Sequence, residues 1–333
     1  MRSCMGICLA LLCVALGGYC GQMSSHVYTA LQAKDGLTGA AAAVVTARED
    51  AYLAGAQGPD VVGVVMPGLD KLSGWNSAGT ESHYHPKKAE LALNLLEAAG
   101  TDPAARAYAI GWISHYVNDI HVHELVNRYG GYYAVDETQH KVLEQLETKH
   151  VLVAHADVVT KARAEQNYAA LGDTFAAFII NAYRATFPEN ALYKIENTNY
   201  FCRRFNEAAG YCTDAHKVFY ATATTKAKNG NHGWGMATLK FPNMPTFDDY
   251  ELMLRGMEIT DVKPGKDRLT AVVKMHDTKC YGRFLADWEM AANAAIARTR
   301  AVYGLISAYL DATDPAVRAA ARAVAGGHSR AES

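Results

Sequence analysis

Residues 103–128 read Pro103-Ala-Ala-Arg-Ala-Tyr-Ala-Ile-Gly-Trp-Ile-Ser-His115-Tyr-Val-Asn-Asp119-Ile-His121-Val-His123-Glu-Leu-Val-Asn-Arg128. Thr101 or Asp102 can cap this stretch, Pro103 suits the first helical position, and Tyr129-Gly130-Gly131 ends it, so one long helix is predicted. Along it His115, Asp119 and His123 recur every four residues. Each such step turns by about 40°, so the three side chains share one helix face within roughly 80°. The flanks Ala109-Ile-Gly-Trp-Ile113 and Tyr116-Val117 are apolar, so that face is buried. A buried imidazole and carboxylate must be paired with each other or bound to a metal, because desolvating the charge is costly. Two imidazoles and a carboxylate so aligned can ligate one zinc, or two zincs bridged by the carboxylate.

The rest of the chain reads the same way, helix after helix. A helix is expected from Gly39-Ala-Ala-Ala-Ala-Val-Val through Arg48-Glu-Asp50 to about Gln57, stopped by Gly58-Pro59. Others follow at Lys87 to Ala99, from Asp136 towards Val159, from roughly Lys161 to Phe187, and from about Tyr281 to Leu310. The last is closed by Asp311 and restarted after Asp314-Pro315. Between about Asn229 and Lys279, Gly, Pro and Asn clusters interrupt the pattern, and Arg268-Leu-Thr-Ala-Val-Val-Lys274 is the one segment there with strand character. The expected class is all-α: a single multi-helix domain over residues 21–325, with a metal-binding half (22–160), a supporting half (161–325) and a small irregular late insertion.

Composition narrows the function classes. Of 333 residues, 50% are apolar and 20% charged, which argues against a largely disordered chain. A formal charge of −2 supplies no long-range field for nucleic acid or an anionic membrane, so a phosphate-bearing substrate needs local positive charge. Residues 1–20 read as a signal peptide: Arg2, then an apolar core Ile7–Leu16 too short to span a bilayer, then a small-x-small site at Ala15-x-Gly17. The predicted location is secreted or periplasmic. Export agrees with the cysteines that remain after cleavage: Cys20, Cys202, Cys212 and Cys280 permit two disulfides by three pairings or four thiols, with Cys202 and Cys212 closest in sequence.

A second metal-like spacing lies at His140-Lys-Val-Leu-Glu144. Alone it would be a surface pair worth a few tenths of a kcal/mol. Beside the His115/Asp119 helix it resembles a two-residue metal clamp.

These blocks occur in a recognisable order: Ser25-His26-Val-Tyr-Thr-Ala-Leu31, Gly58-Pro-Asp60, Glu81-Ser-His83-Tyr84, Gly111-Trp-Ile-Ser-His115-Tyr-Val-Asn-Asp119 and His140-Lys-Val-Leu-Glu144. Over about residues 23–150 the chain resembles the zinc-dependent phospholipase C family, whose fold is shared with P1-type single-strand nucleases. The resemblance implies zinc ions at two positions. His83, His115 and Asp119 would hold one, and His123, His140 and Glu144 the other. A third position would fall to His26 with Asp119 bridging, and Asp60 would be the general base that orients the attacking water. Zinc lowers the pKa of bound water and neutralises phosphate oxygens in the transition state, so these roles are chemically coherent.

Two features depart from the family pattern. The His-x-x-x-Asp-x-x-x-His spacing resembles the branch that includes glycosylphosphatidylinositol-cleaving phospholipase D. The processed N-terminal amino group that ligates metal in the bacterial phospholipases has its counterpart here inside the signal peptide. His121 lies about 160° from His123 around the helix, so one of the two faces the metals, and His123 is preferred.

His85 is expected to begin a helix, His150 and His155 to be surface or packing residues, and His232 to sit in an ordinary turn. The expected partner is a phospholipid or other phosphodiester substrate, with at most transient contact with a membrane surface and no stable nucleic-acid complex. A P1-like nuclease or other phosphodiesterase ranks second. A non-catalytic helical protein stabilised by zinc ranks third.

Overall fold

A computed structural model describes residues 23–63, 76–83, 85–130, 143–144, 147–148, 150–152, 154–164, 173–224, 278–316 and 318–320. Among the described residues the chain is helical, with no β-strand. The expected late insertion, its strand at 268–274, the signal peptide, Cys20, His140 and His232 lie outside them.

The helices are α1 (Met23–Ala33), α2 (Gly39–Ala47), α3 (Glu49–Gly55), α4 (Gly58–Gly63), α5 (Asn76–His83), α6 (Lys88–Ala98), α7 (Pro103–Gly130), α8 (Lys161–Ala164), α9 (Asp173–Thr186), α10 (Thr198–Thr224) and α11 (Thr278–Asp311). Two compact units are distinguished. The first comprises His26–Asp119, Gln166–Asp214 and Ala295–Ser333; the second comprises Met1–Ser25, Ile120–Glu165 and Ala215–Ala294.

Helix α7 begins as its sequence predicts. Ala105 N–H donates to Asp102 Oδ1 at 2.7 Å, which satisfies one of the amides that a helix start leaves without a partner. The helix expected from Gly39 to Gln57 is instead two helices. Arg48 leaves the helical region (φ −133, ψ 52), and its guanidinium turns onto Asp50 at 2.9 and 2.8 Å. Glu49 and Asp50 then open α3, where acidic side chains favour a helix N-terminus. Gly58-Pro59, expected only to stop that helix, also starts α4 and places Asp60 in its first turn.

Cys202 and Cys212 form no disulfide with each other. Ten residues apart on α10 they stand about 15 Å from one another, beyond the reach of a bridge.

The core of the first unit is aromatic. Tyr108 meets Phe175 and Phe178 edge-on at 5.3 and 5.7 Å, and Trp112 meets Tyr183 at 6.4 Å. The buried Tyr52 hydroxyl donates to Ala30 O at 2.6 Å and lies 2.8 Å from the Tyr303 hydroxyl, tying α1, α3 and α11 together. Across α6 and α9, Asn94 Nδ2 donates to Thr186 Oγ1 at 2.8 Å.

One approach in this core positions the functional residues. A Cβ on Gly111 would lie 2.0 Å from Tyr52 O, and one on Gly55 would lie 1.9 Å from Tyr108 O. The backbones of α3 and α7 therefore touch where only glycine fits, which sets the end of α3 against the turn of α7 that precedes His115.

Candidate metal centre

Four elements of the first unit carry side chains into one buried group: α1 brings His26, α4 brings Asp60, α5 brings His83, and α7 brings His115 and Asp119. One potential ligand atom from each of His26, Asp60 and His115 lies within 4.8 Å of the other two. The His26 and His115 rings stack at 3.7 Å, and the His83 ring meets His115 edge-on at 5.5 Å. Asp60 reaches His83 Nε2 at 3.3 Å through Oδ1 and His26 Nε2 at 3.8 Å through Oδ2.

Each imidazole is held from behind. His115 Nδ1–H donates to Ala56 O at 2.9 Å, and His83 Nδ1–H to Gly79 O at 2.8 Å, which turns both Nε2 atoms towards the group. The Asn118 amide lies between Thr29 Oγ1 at 2.7 Å and His26 Nδ1 at 2.9 Å. Asn118 Oδ1 accepts from Thr29 Oγ1–H and its Nδ2 donates to His26 Nδ1, which fixes the orientation of that ring.

Charge completes the description. Burial, reinforced by the neighbouring His26, holds His115 well below the usual histidine range against the pull of Asp119, so it is neutral. Burial works in the same direction on His83, but the hydrogen bond to Asp60 and the fields of Asp119 and Asp60 overcome it and lift that ring to about 9.

A metal cation fits this donor set. His115 Nε2 is buried, has no hydrogen-bond partner and belongs to a neutral ring, so it presents a lone pair with nothing to accept it. Leaving such an atom unsatisfied costs about 1–3 kcal/mol, and a cation flanked by imidazoles and carboxylates satisfies it.

The second unit holds His123 and Glu144. Glu144 is buried, and its Oε1 lies 3.9 Å from His123 Nε2. His140 lies outside the described residues. His85 stands before α6, edge-on to Phe187 at 4.8 Å, with its Nδ1 accepting Lys87 N–H at 3.0 Å.

Several residues at these sites had no periodic signal. Asn118 is a buried polar residue within the Gly111–Asp119 stretch. The Ala56 and Gly79 carbonyls carried no such signal. Lys88 donates to His83 O at 3.1 Å and lies 5.1 Å from the Tyr116 ring centroid, a half-buried cation beside the group.

The second unit also joins His150 and His155, expected to be surface or packing residues, through Glu289. Both Nε2 atoms meet Glu289 Oε1, at 2.6 and 2.8 Å. Burial keeps His150 low despite its hydrogen bond to Glu289. Burial would raise the Glu289 carboxyl, but hydrogen bonds from the two imidazoles bring it below the usual carboxylate range.

The sequence profile of the family described as zinc dependent phospholipase C matches residues 22–233, which includes every residue of the buried group. No curated protein and no solved structure matches the chain. The match extends over more than half of the chain, and the described residues are all-helical. This protein belongs to the zinc-dependent phospholipase C family and is a hydrolase acting on phosphodiesters.

Proposed function

We propose that the chain is an exported phospholipase C-like enzyme that cleaves a phospholipid headgroup at a zinc centre. The observation that carries the reading is the convergence of His26, Asp60, His83 and His115, with His115 Nε2 buried and lacking a hydrogen-bond partner, inside the family-matched region. His83, His115 and Asp119 would hold one ion, and His123, His140 and Glu144 would hold the other; His26 and Asp119 would serve a third position. Zinc bound there supplies Lewis acidity, lowering the pKa of water towards neutrality and offsetting the charge that builds on phosphate oxygens.

The chain's own groups do the remaining work. Asp60, buried at the centre of the group, orients the attacking water and accepts its proton. Its oxygens also come within 3.8 Å of two Nε2 atoms, so it shares the space of the ligands. Lys88, beside His83, offers a cation to a non-bridging phosphate oxygen, which the near-neutral surface cannot supply at long range. The carbonyls of Ala56 and Gly79 keep the imidazoles of His115 and His83 in the ligating tautomer.

The test is hydrolysis of a short-chain phosphatidylcholine analogue by the purified mature chain, with single-stranded DNA as a parallel substrate. Chelation should abolish lipid hydrolysis, and added zinc should restore it. Hydrolysis that survives complete chelation would overturn the mechanism, and cleavage of DNA in preference to lipid would overturn the substrate class.

A further inference from the structure

We propose that His150, His155 and Glu289 form an additional metal-ion site, suited to zinc or a similar borderline cation. None of the three belongs to the residue set implied by the family resemblance, and the inference does not rest on the phospholipase reading.

Three donor atoms of the second unit converge here: two imidazole Nε2 atoms and one carboxylate oxygen, all within 4.8 Å of one another. Two histidines and a glutamate are a donor set that zinc accepts with a fourth position open to water. Sequence spacing conceals it. His150 and His155 are five residues apart, which on an unbroken helix would turn them about 140° from each other. The helix closes at this point. His155 N–H donates to Val151 O at 3.0 Å, and His155 O accepts from Val158 and Val159 N–H at 3.0 and 2.9 Å. The resulting turn points both rings at the same oxygen of Glu289, 134 positions later in the chain.

The surroundings suit a cation. Trp288 stands edge-on to His150 at 5.2 Å and tilted towards His155 at 6.3 Å, so one indole fixes both rings. Side-chain exposure rises from 6% at His150 to 21% at His155 and 36% at Glu289, giving the trio one closed side and one side open to solvent. Bonds of about 2.0–2.1 Å in tetrahedral geometry need ligand atoms about 3.3 Å apart. The present contacts of 2.6 and 2.8 Å would open by about 0.5–0.7 Å, a movement the long, partly exposed Glu289 side chain can supply.

Direct hydrogen bonds from both imidazoles to the carboxylate account for the same distances, and the experiment separates the two. Chelator-stripped full-length mature protein is titrated with Zn2+, and bound metal per chain is counted for wild type, E289Q and H155Q. Both variants retain a hydrogen-bonding group, so a fold that needs only the hydrogen bonds survives in them. The expected result is one fewer zinc equivalent in each variant, with zinc-induced thermal stabilisation reduced and phosphodiesterase turnover unchanged. Equal zinc stoichiometry and affinity in all three proteins would overturn the proposal. For a variant that folds poorly, the visible spectrum of Co2+-loaded protein decides: loss of one tetrahedral component relative to wild type supports the site, and an unchanged spectrum removes it.

Discussion

Replacing Gly111 with alanine would put a methyl carbon 2.0 Å from the Tyr52 carbonyl oxygen and 2.7 Å from Ala56 N. Ordinary contact begins near 3.4 Å, so α3 and α7 must separate by on the order of 1 Å, and both obstructing atoms are backbone that cannot rotate away. Overpacking of this kind costs about 1–3 kcal/mol. Alanine recovers up to about 1 kcal/mol through its better helix propensity, leaving a net loss of roughly 1–2 kcal/mol. At about 2 °C per kcal/mol for a chain of this size, the melting temperature should fall by about 2–4 °C. The same displacement moves Ala56 O away from His115 Nδ1, now 2.9 Å apart. Losing an outer-shell partner typically weakens metal affinity about 10–100-fold. The assay pairs thermal unfolding of the stripped protein with zinc titration, and uses G304A as control. Gly304 sits exposed in α11 with nothing within 4 Å of its Cβ position, so that substitution should stabilise by about 0.5–1 kcal/mol. Wild-type melting and zinc affinity in G111A would refute the reasoning. A destabilised G111A with unchanged zinc affinity would refute its second half, the link from helix approach to His115.

Other perturbations test separate parts of the site. D60N should abolish turnover while leaving zinc content unchanged; a loss of zinc, measured by metal analysis, would make Asp60 a ligand rather than the base. N118A removes the amide between Thr29 and His26 and should weaken zinc binding at the His26 position about 10–100-fold, read by titration of the stripped protein. Y52F deletes a buried hydroxyl that contacts Ala30 O and Tyr303, and should lower stability by about 1–3 kcal/mol with an unchanged urea m-value. K88M should raise KM for a phosphodiester about tenfold, the size of one lost charge-assisted hydrogen bond, with zinc content unaltered.

Local rules carried the reading where the relevant partners lie within a turn or two of one another. The start of α7 was legible because Asp102 and Pro103 act on amides three residues away, and Asp102 Oδ1 does accept from Ala105 N–H. The shared face of His115 and Asp119 was legible because a helix repeats every 3.6 residues. The break at Arg48 was not, since Ala-rich periodicity continues through it. An arginine that folds back on Asp50 and leaves the helical region has no signature in hydrophobic spacing.

What the residues alone determined is the all-helical class, the resemblance to a zinc enzyme family and the chemical types present at the centre, because composition, helix period and short motifs are properties of neighbours along the chain. Only the tertiary structure decided that α3 and α7 touch through Gly55 and Gly111, that Ala56 O orients His115, and that Glu289 gathers His150 and His155. A backbone carbonyl looks the same in every residue. A contact across 134 positions depends on how the intervening helices pack, and no local rule encodes that packing.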